Sequence, residues 1–118
     1  MIRQGDVFWI DLGVPRGSGP GFRRPYVVVQ NDLFNSSRIR TVVVCAITSN
    51  LKRLRAPGNV LLEDGEANLP KRSVVNISQV FTVDRELLEG RVGELSASRL
   101  EDVLEGLRFL IEPRSVEE

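Results

Sequence analysis

The apolar run at residues 41–47, TVVVCAI, constrains the fold of this chain more than any other segment. Its length and its β-branched residues predict a strand. Because no polar residue alternates with the apolar ones, we expect both faces of this strand to be buried inside a sheet. The single cysteine, Cys45, lies in this run, so we expect a small buried side chain and no catalytic nucleophile.

Several shorter segments also have strand composition. Residues 6–12 alternate, with Val7 and Trp9 on one face and Phe8 and Ile10 on the other. Pro25 lacks a backbone N–H, which suits the first residue of a second strand. Further strands are predicted at residues 59–62, 73–77, 79–83 and 91–93, with one helical turn at 84–88 and irregular connections at 13–24 and 31–40.

The last segment has the clearest periodicity. Residues 100–111 place apolar side chains at helical spacing, and Pro113 ends the helix. Ser96 or Ser98 can cap its start, and Ser98 with Glu101 fits a capping box. Many strands followed by one helix predict an α+β, mostly β fold, or a small barrel with a C-terminal helix. A chain of 118 residues suits one domain, residues 1–118.

The charges are balanced over the whole chain but segregated along it. Residues 1–62 hold nine Lys/Arg and three Asp/Glu, whereas residues 63–118 hold seven and thirteen. This asymmetry indicates a basic face for a polyanion, unless the fold interleaves the halves and cancels the field. The chain has no histidine and one cysteine, which argues against a zinc site and removes the commonest general acid/base.

Two arginines stand between a glycine-rich loop and a predicted strand, at Arg23 and Arg24. The forked donors of a guanidinium suit phosphate oxygens, although a surface arginine pair beside a turn also fits the sequence. Thr48 ends the most apolar strand, and its hydroxyl can bind a phosphate or satisfy the backbone of the loop. If the second and third strands pair, their ends can bring Arg24 and Thr48 together.

Five segments in order resemble the MazF/PemK family of toxin endoribonucleases. They are GDVFWIDLG, GFRRPYVVVQND, VVCAITSN, LPKRSVVNISQVFTVD and RVGEL, and the resemblance extends from about Gly5 to Leu110. The resemblance implies a small SH3-like barrel of the CcdB/MazF/PemK type with a C-terminal helix. It also implies a homodimer, inhibition by a cognate MazE-like antitoxin, and cleavage of single-stranded RNA without metal or cofactor.

The resemblance also implies the roles of particular residues. Arg24 and Thr48 match the family's essential arginine and threonine, and the 2′-OH of the RNA attacks the adjacent phosphate to leave a 2′,3′-cyclic phosphate and a 5′-OH. Splayed bases and the RNA backbone are expected on a groove. The expected RNA-binding residues are Phe22, Arg23, Ser49, Asn50, Lys52, Arg53 and Gln79.

Two other functions are compatible with the same barrel. A CcdB-like toxin binds DNA gyrase without cutting nucleic acid, and a degenerate member binds RNA or an antitoxin without cleavage. The R-P and A-I-T motifs at residues 24–25 and 46–48 favour the nuclease. No apolar run is long enough to span a bilayer and the N-terminal residues lack the apolar core of a signal peptide, so we expect a cytoplasmic protein with no membrane partner.

Overall fold

The computed structural model describes residues 1–13 and 23–114. Within these residues, six strands form one antiparallel sheet that curls into a half-barrel, in the order β4-β5-β3-β2-β1-β6. The strands are β1 (Asp6–Asp11), β2 (Arg23–Val28), β3 (Thr41–Thr48), β4 (Val60–Leu62), β5 (Ser73–Asp84) and β6 (Arg91–Glu94), and the α-helices are α1 (Asp32–Asn35) and α2 (Ala97–Ile111). The predicted class, mostly β with a C-terminal helix, is therefore confirmed.

Strand β3 lies inside the sheet, between β5 and β2, as its continuous apolar sequence predicts. Val42, Val44 and Ile47 are almost fully buried, and burying one such side chain stabilises a fold by about 1.5–3 kcal/mol. Cys45 is also buried, and its thiol donates to the Asn76 carbonyl oxygen at 3.2 Å. Burial raises the pKa of the Cys45 thiol to about 12.

Strand β5 corrects one prediction. Residues 73–77 and 79–83 were expected to form two strands, but Ser73–Asp84 is a single strand of twelve residues. Its pairing with β3 shifts register between Cys45 and Ile47. A bulge of this kind bends a strand and increases its twist, so the polar interruption Asn76–Ser78 marks a bend within one strand.

The sheet has an apolar cluster on each face. On one face, residues of β1 to β5 form a single cluster with α2, which contacts β4 and β5 and whose Val103 is fully buried. On the other face, Tyr26 packs with Ile10, Val28, Val44 and their neighbours. Tyr26 also meets Phe81 edge-to-face, with 6.1 Å between the ring centroids.

Helix α2 begins after Ser96, whose side chain accepts from the Arg99 backbone N–H at 3.3 Å. The alternative capping box of Ser98 and Glu101 is wrong, because both residues lie inside the helix. The acidic side chains of α2 face solvent as predicted, whereas the far end of its apolar stripe, Leu110 and Ile111, remains 47% and 78% exposed. No helix among the described residues is long and apolar enough to cross a membrane.

The connections contain structure that the sequence pattern did not indicate. Helix α1 lies in the predicted irregular segment 31–40, where the Asn31 side chain accepts from the Leu33 N–H. A 3-10 helix, Leu51–Arg55, follows β3 and is called the basic segment below. Two more 3-10 helices cover Glu66–Asn68 and Arg85–Leu87, and the second of these confirms the helical turn predicted there. β2 also begins two residues before Pro25.

Candidate active site

Strands β2 and β3 pair in a register that brings Arg24 and Thr48 to the same end of the sheet. Tyr26 lies opposite Ala46, and Val27 opposite Cys45. Arg24 is two residues before Tyr26 and Thr48 is two residues after Ala46. The paired residues end at Tyr26–Ala46. Because side chains two residues apart share a face of a strand, the same register extended by two residues places Arg24 opposite Thr48 on one face, which is the arrangement expected from the sequence.

A cavity of about 300 Å³ opens at this end of the sheet. Arg24 contributes to its wall, as do Ile47 and Ser49 on either side of Thr48. Thr48 itself is not among the described residues that line it. The complete lining is Trp9, Arg23, Arg24, Pro25, Ile47, Ser49, Leu69, Pro70, Lys71 and Ser73. Three cations around a partly apolar cavity form an environment suited to a phosphate linked to a flat organic group.

Arg23 has a defined position at the rim of this cavity. Its guanidinium carbon lies 4.6 Å from the centre of the Trp9 ring, and its Nε lies 2.7 Å from Glu89 Oε1. A cation–π contact at an exposed site contributes about 0.5–1 kcal/mol. The Arg23–Glu89 pair is about half exposed on both sides, and such pairs contribute only about 0–1 kcal/mol. A phosphate can therefore compete with Glu89 for Arg23.

Arg24 is half-buried, and its charge interacts electrostatically with the phenol of Tyr26. Burial raises the pKa of Tyr26 above its ordinary value, while the Arg24 guanidinium opposes this shift and Asp11 adds to it. The Tyr26 hydroxyl is buried and has no hydrogen-bond partner among the described residues. Because apolar surroundings screen a charge less than water does, the buried surface around Tyr26 strengthens the field of Arg24 on this face of the sheet.

The Thr48 hydroxyl is held at the start of the loop after β3. Its Oγ1 accepts from the Asn50 backbone N–H at 3.1 Å. A hydroxyl has one proton to donate and two lone pairs, so this bond fixes the oxygen and leaves its proton available to an anion. The two functions weighed from the sequence, loop capping and phosphate binding, are compatible in this geometry.

The other predicted residues occupy three locations. Ser49 lines the cavity, whereas Lys52 and Arg53 lie exposed in the basic segment. Asn50 caps that segment, because its Oδ1 accepts from the Lys52 N–H at 3.2 Å. Gln79 is half-buried in β5 and does not line the cavity. Phe22 lies outside the described residues, together with most of the loop at 13–24 that was predicted to be irregular.

Trp9, Lys71 and Ser73 line the cavity without having been predicted from the sequence, as do Leu69 and Pro70 before Lys71. Trp9 was assigned only to a strand face. The segment Leu69–Pro70–Lys71 enters β5 as Arg23–Arg24–Pro25 enters β2, with a cation next to a proline at the mouth of an apolar strand. That similarity of pattern was the one available signal for Lys71.

Comparisons with known proteins agree with this architecture. A family model described as PemK-like, MazF-like toxin of type II toxin-antitoxin system matches residues 3–111. Endoribonuclease MazF2 of Mycobacterium bovis and endoribonuclease MazF6 of Mycobacterium tuberculosis are each 42% identical to this chain over 112 residues, covering 95% of this chain and 98% of the relative.

Solved structures of similar fold include MazF from Deinococcus radiodurans, with a TM-score of 0.76, 25% identity and coverage of 95% of this chain and 97% of that one. A mycobacterial endoribonuclease solved in complex with its cognate antitoxin has a TM-score of 0.79 at 21% identity, covering 98% of this chain and 100% of that one.

Proposed function

We propose, from the premise that this chain belongs to the PemK-like, MazF-like toxins of type II toxin–antitoxin systems, that it is an endoribonuclease. Its substrate is single-stranded RNA, its cellular location is the cytoplasm, and it acts as a homodimer restrained by a cognate MazE-like antitoxin. The observation that carries the proposal is the β2–β3 register, which, extended two residues past its last pair, sets Arg24 opposite Thr48 on one face of the sheet. Relatives with 42% identity bear the name endoribonuclease.

The reaction needs little beyond charge stabilisation and proton movement. The 2′-oxygen of one nucleotide forms a bond to the adjacent phosphorus, and the bond from phosphorus to the 5′-oxygen breaks. The 2′-hydroxyl loses a proton and the departing 5′-oxygen gains one, which leaves a 2′,3′-cyclic phosphate and a 5′-OH. Charge accumulates on the non-bridging phosphate oxygens between these steps, so a fixed cation beside them lowers the barrier.

Arg24 supplies that cation. A guanidinium stays charged at physiological pH and presents several N–H donors in a fixed fork. It therefore stabilises the developing phosphorane charge and does not act as a general base. Its backbone is held by antiparallel pairing with Ile10 of β1. Thr48 donates its hydroxyl proton to a phosphate oxygen or orients the attacking 2′-OH.

Other residues bind the RNA around the scissile phosphate. Arg23 and Lys71 lie at the cavity and provide two further cations. Ser49 offers a hydroxyl at the same wall, and Trp9 offers an aromatic face beneath Arg23. The exposed basic segment, with Lys52 and Arg53, extends the positive surface beyond the cavity. We retain Phe22, Asn50 and Gln79 as proposed RNA contacts.

The test is incubation of the purified protein with a mixed single-stranded RNA in EDTA, followed by mapping of the 5′ ends. We expect cuts at a defined short sequence with 5′-OH ends. Removing one transition-state donor typically lowers turnover by about 10²–10³-fold, so Arg24→Ala and Thr48→Ala should lose at least that much while keeping the wild-type circular dichroism spectrum.

Matched controls are Arg108→Ala on the outer face of α2 and Thr82→Ala on β5, both at exposed positions away from the cavity. Both should cleave RNA at the wild-type rate. Wild-type activity in Arg24→Ala would remove Arg24 from the mechanism, and intact RNA together with inhibition of DNA gyrase would support the CcdB-like function, which the family match does not favour.

A further inference from the structure

The basic segment lies at the surface, where its two apolar side chains, Leu51 and Leu54, are 40% and 42% exposed. It consists of Leu51–Arg55 and has no buried residue. Within the part of the chain that the structure covers, Lys52, Arg53 and Arg55 form no ion pair. A five-residue 3-10 helix has little stability of its own, so the hydrogen bonds at its two ends help to fix the direction of its cations.

Thr48 and Asn50 hold the first end. The Thr48 oxygen accepts from the Asn50 N–H, and the Asn50 side chain in turn accepts from the Lys52 N–H. These bonds are local in sequence, because each spans two residues. They shape the start of the segment without tying its far end to the sheet.

Asn59 holds the second end. Its Nδ2 donates to the Arg53 carbonyl oxygen at 2.7 Å and, more weakly, to Asn76 Oδ1 at 3.3 Å. Its Oδ1 accepts from the Ile77 backbone N–H at 2.8 Å. One side chain thus joins the basic segment to the backbone of β5.

The place where Asn59 binds β5 explains why an asparagine suits the position. The β4–β5 ladder ends at Val60 opposite Val75, one residue beyond Asn59. The Ile77 N–H lies past that last pair, where β5 also shifts its register with β3. Asn59 replaces the missing strand carbonyl with its own side-chain oxygen, and its amide nitrogen remains available for the basic segment.

We propose that Asn59 is a positioning residue for RNA binding, which it serves by fixing the basic segment against β5. This inference depends on the proposed nuclease function only in that RNA is the ligand. Asn59 does not touch the reacting phosphate, and its effect passes through Lys52 and Arg53. Removing the Asn59 hydrogen bonds should therefore weaken RNA binding and leave the chemical step intact.

Two substitutions separate the two bonds. Asn59→Asp keeps an acceptor for the Ile77 N–H and loses the donor to the Arg53 carbonyl, whereas Asn59→Ala loses both. A hydrogen bond of this kind is worth about three- to tenfold in an equilibrium constant. We expect each variant to raise KM, and the dissociation constant for an uncleavable 2′-O-methyl RNA, by about that factor with kcat unchanged.

The salt dependence provides a readout that a loss of stability would not change. For single-stranded nucleic acid, the slope of log K against log salt is negative, and each phosphate that the protein no longer neutralises reduces its magnitude by about 0.7. We expect the magnitude of the slope to be smaller in Asn59→Ala by at least that amount. The effect should also be non-additive with Lys52→Ala and Arg53→Ala, because all three substitutions weaken the same contact with RNA.

Gln4→Glu is the matched control for Asn59→Asp. The Gln4 Nε2 donates to the Val29 carbonyl oxygen at 2.9 Å, at the end of β2 remote from Arg24. This variant also loses an amide donor and gains a negative charge, and it should bind RNA as the wild type does. Equal RNA affinity in the wild type and both Asn59 variants, a fall in kcat at constant KM, or an equal loss in Gln4→Glu would each overturn the role of Asn59.

The binding assay also keeps this inference distinct from the nuclease proposal. If the wild type binds 2′-O-methyl RNA but cleaves no RNA, the nuclease function fails and Asn59 is still tested by affinity. If the wild type binds no RNA, both proposals fail.

Discussion

Replacing Gly106 with alanine is expected to destabilise the protein, although the residue lies inside a helix. A methyl group built on Gly106 falls 2.5 Å from the Gly58 carbonyl oxygen and 3.0 Å from Ile77 Cγ1. The first atom belongs to the backbone of the turn before β4, and the second to a buried core residue. Neither can withdraw as an exposed side chain would, so α2 must move away from the sheet.

The magnitude follows from two opposing effects. Alanine favours a helix over glycine by about 1 kcal/mol. Overpacking a well-packed core costs about 1–3 kcal/mol, and a clash with backbone on one side and core on the other places this case at the upper end. The free energy of unfolding should therefore fall by about 2 kcal/mol, which for a domain of this size lowers Tm by about 8 °C.

Thermal unfolding followed by circular dichroism measures this shift. All samples are kept at one protein concentration, since association changes the apparent Tm. Gly90→Ala is the matched control, because a methyl group built on Gly90 meets no atom within 4 Å. An alanine at such a site stabilises a protein by about 0.4–1 kcal/mol, so the two variants should shift Tm in opposite directions. A Gly106→Ala protein that unfolds at or above the wild-type temperature would refute the close packing of α2 on the Gly58 turn.

Two further predictions concern titratable groups. Burial raises the pKa of the Cys45 thiol to about 12, so almost no thiolate is present at pH 8. A disulfide reagent should therefore label the native protein only as fast as the protein unfolds. Rapid labelling of the native protein would contradict the burial of Cys45. Hydrogen bonds from the Asn35 side chain and the Gln4 N–H lower the pKa of Asp32. The ionised Asp32 therefore stabilises the fold at any pH above its pKa in the unfolded chain, and this stability is lost as the pH falls through its lower pKa in the folded protein. In urea unfolding, Asp32→Asn should be less stable than the wild type at pH 7 and should lose less stability on acidification. Identical pH dependence of the two proteins would contradict this contribution.

The elements that the sequence predicted well are those whose pattern is decided by burial alone. Strand β3 is apolar throughout and lies between two neighbours, and α2 repeats its apolar residues at helical spacing. The errors occur where one side chain decides the local structure. Asn31 caps a four-residue helix that is too short to show a period, and the polar residues near Asn76 mark a bend in β5 that resembles a strand end in the sequence.

The candidate site was predicted only in part, for a related reason. Arg24 lies on β2 and Thr48 ends β3, the next strand in the chain. The assumption that these two strands pair was enough to suggest that the two residues are adjacent. Trp9 and Lys71 reach the same cavity from β1 and from the segment before β5. Their meeting depends on the order of strands in the whole sheet and on its curl, which no local pattern contains. The role of Phe22 stays a prediction.

The arrangement of charges explains how a chain with no net charge can bind a polyanion. The acidic residues of α2 form ion pairs within the helix itself. Asp102 pairs with Arg99, and Glu101 and Glu105 pair with Arg108. By contrast, Arg23, Arg24 and Lys71 meet at the cavity from separate parts of the chain. Screening limits the reach of exposed charges to about 8–10 Å in physiological salt, so paired carboxylates on the outer face of α2 oppose this local cluster only weakly. The cavity cations come from both halves of the sequence, because Lys71 belongs to the acidic half and Glu89 of that half pairs with Arg23 at the rim. The local cluster at the ends of β2 and β3, and not the charge of either half, therefore determines the charge that RNA meets.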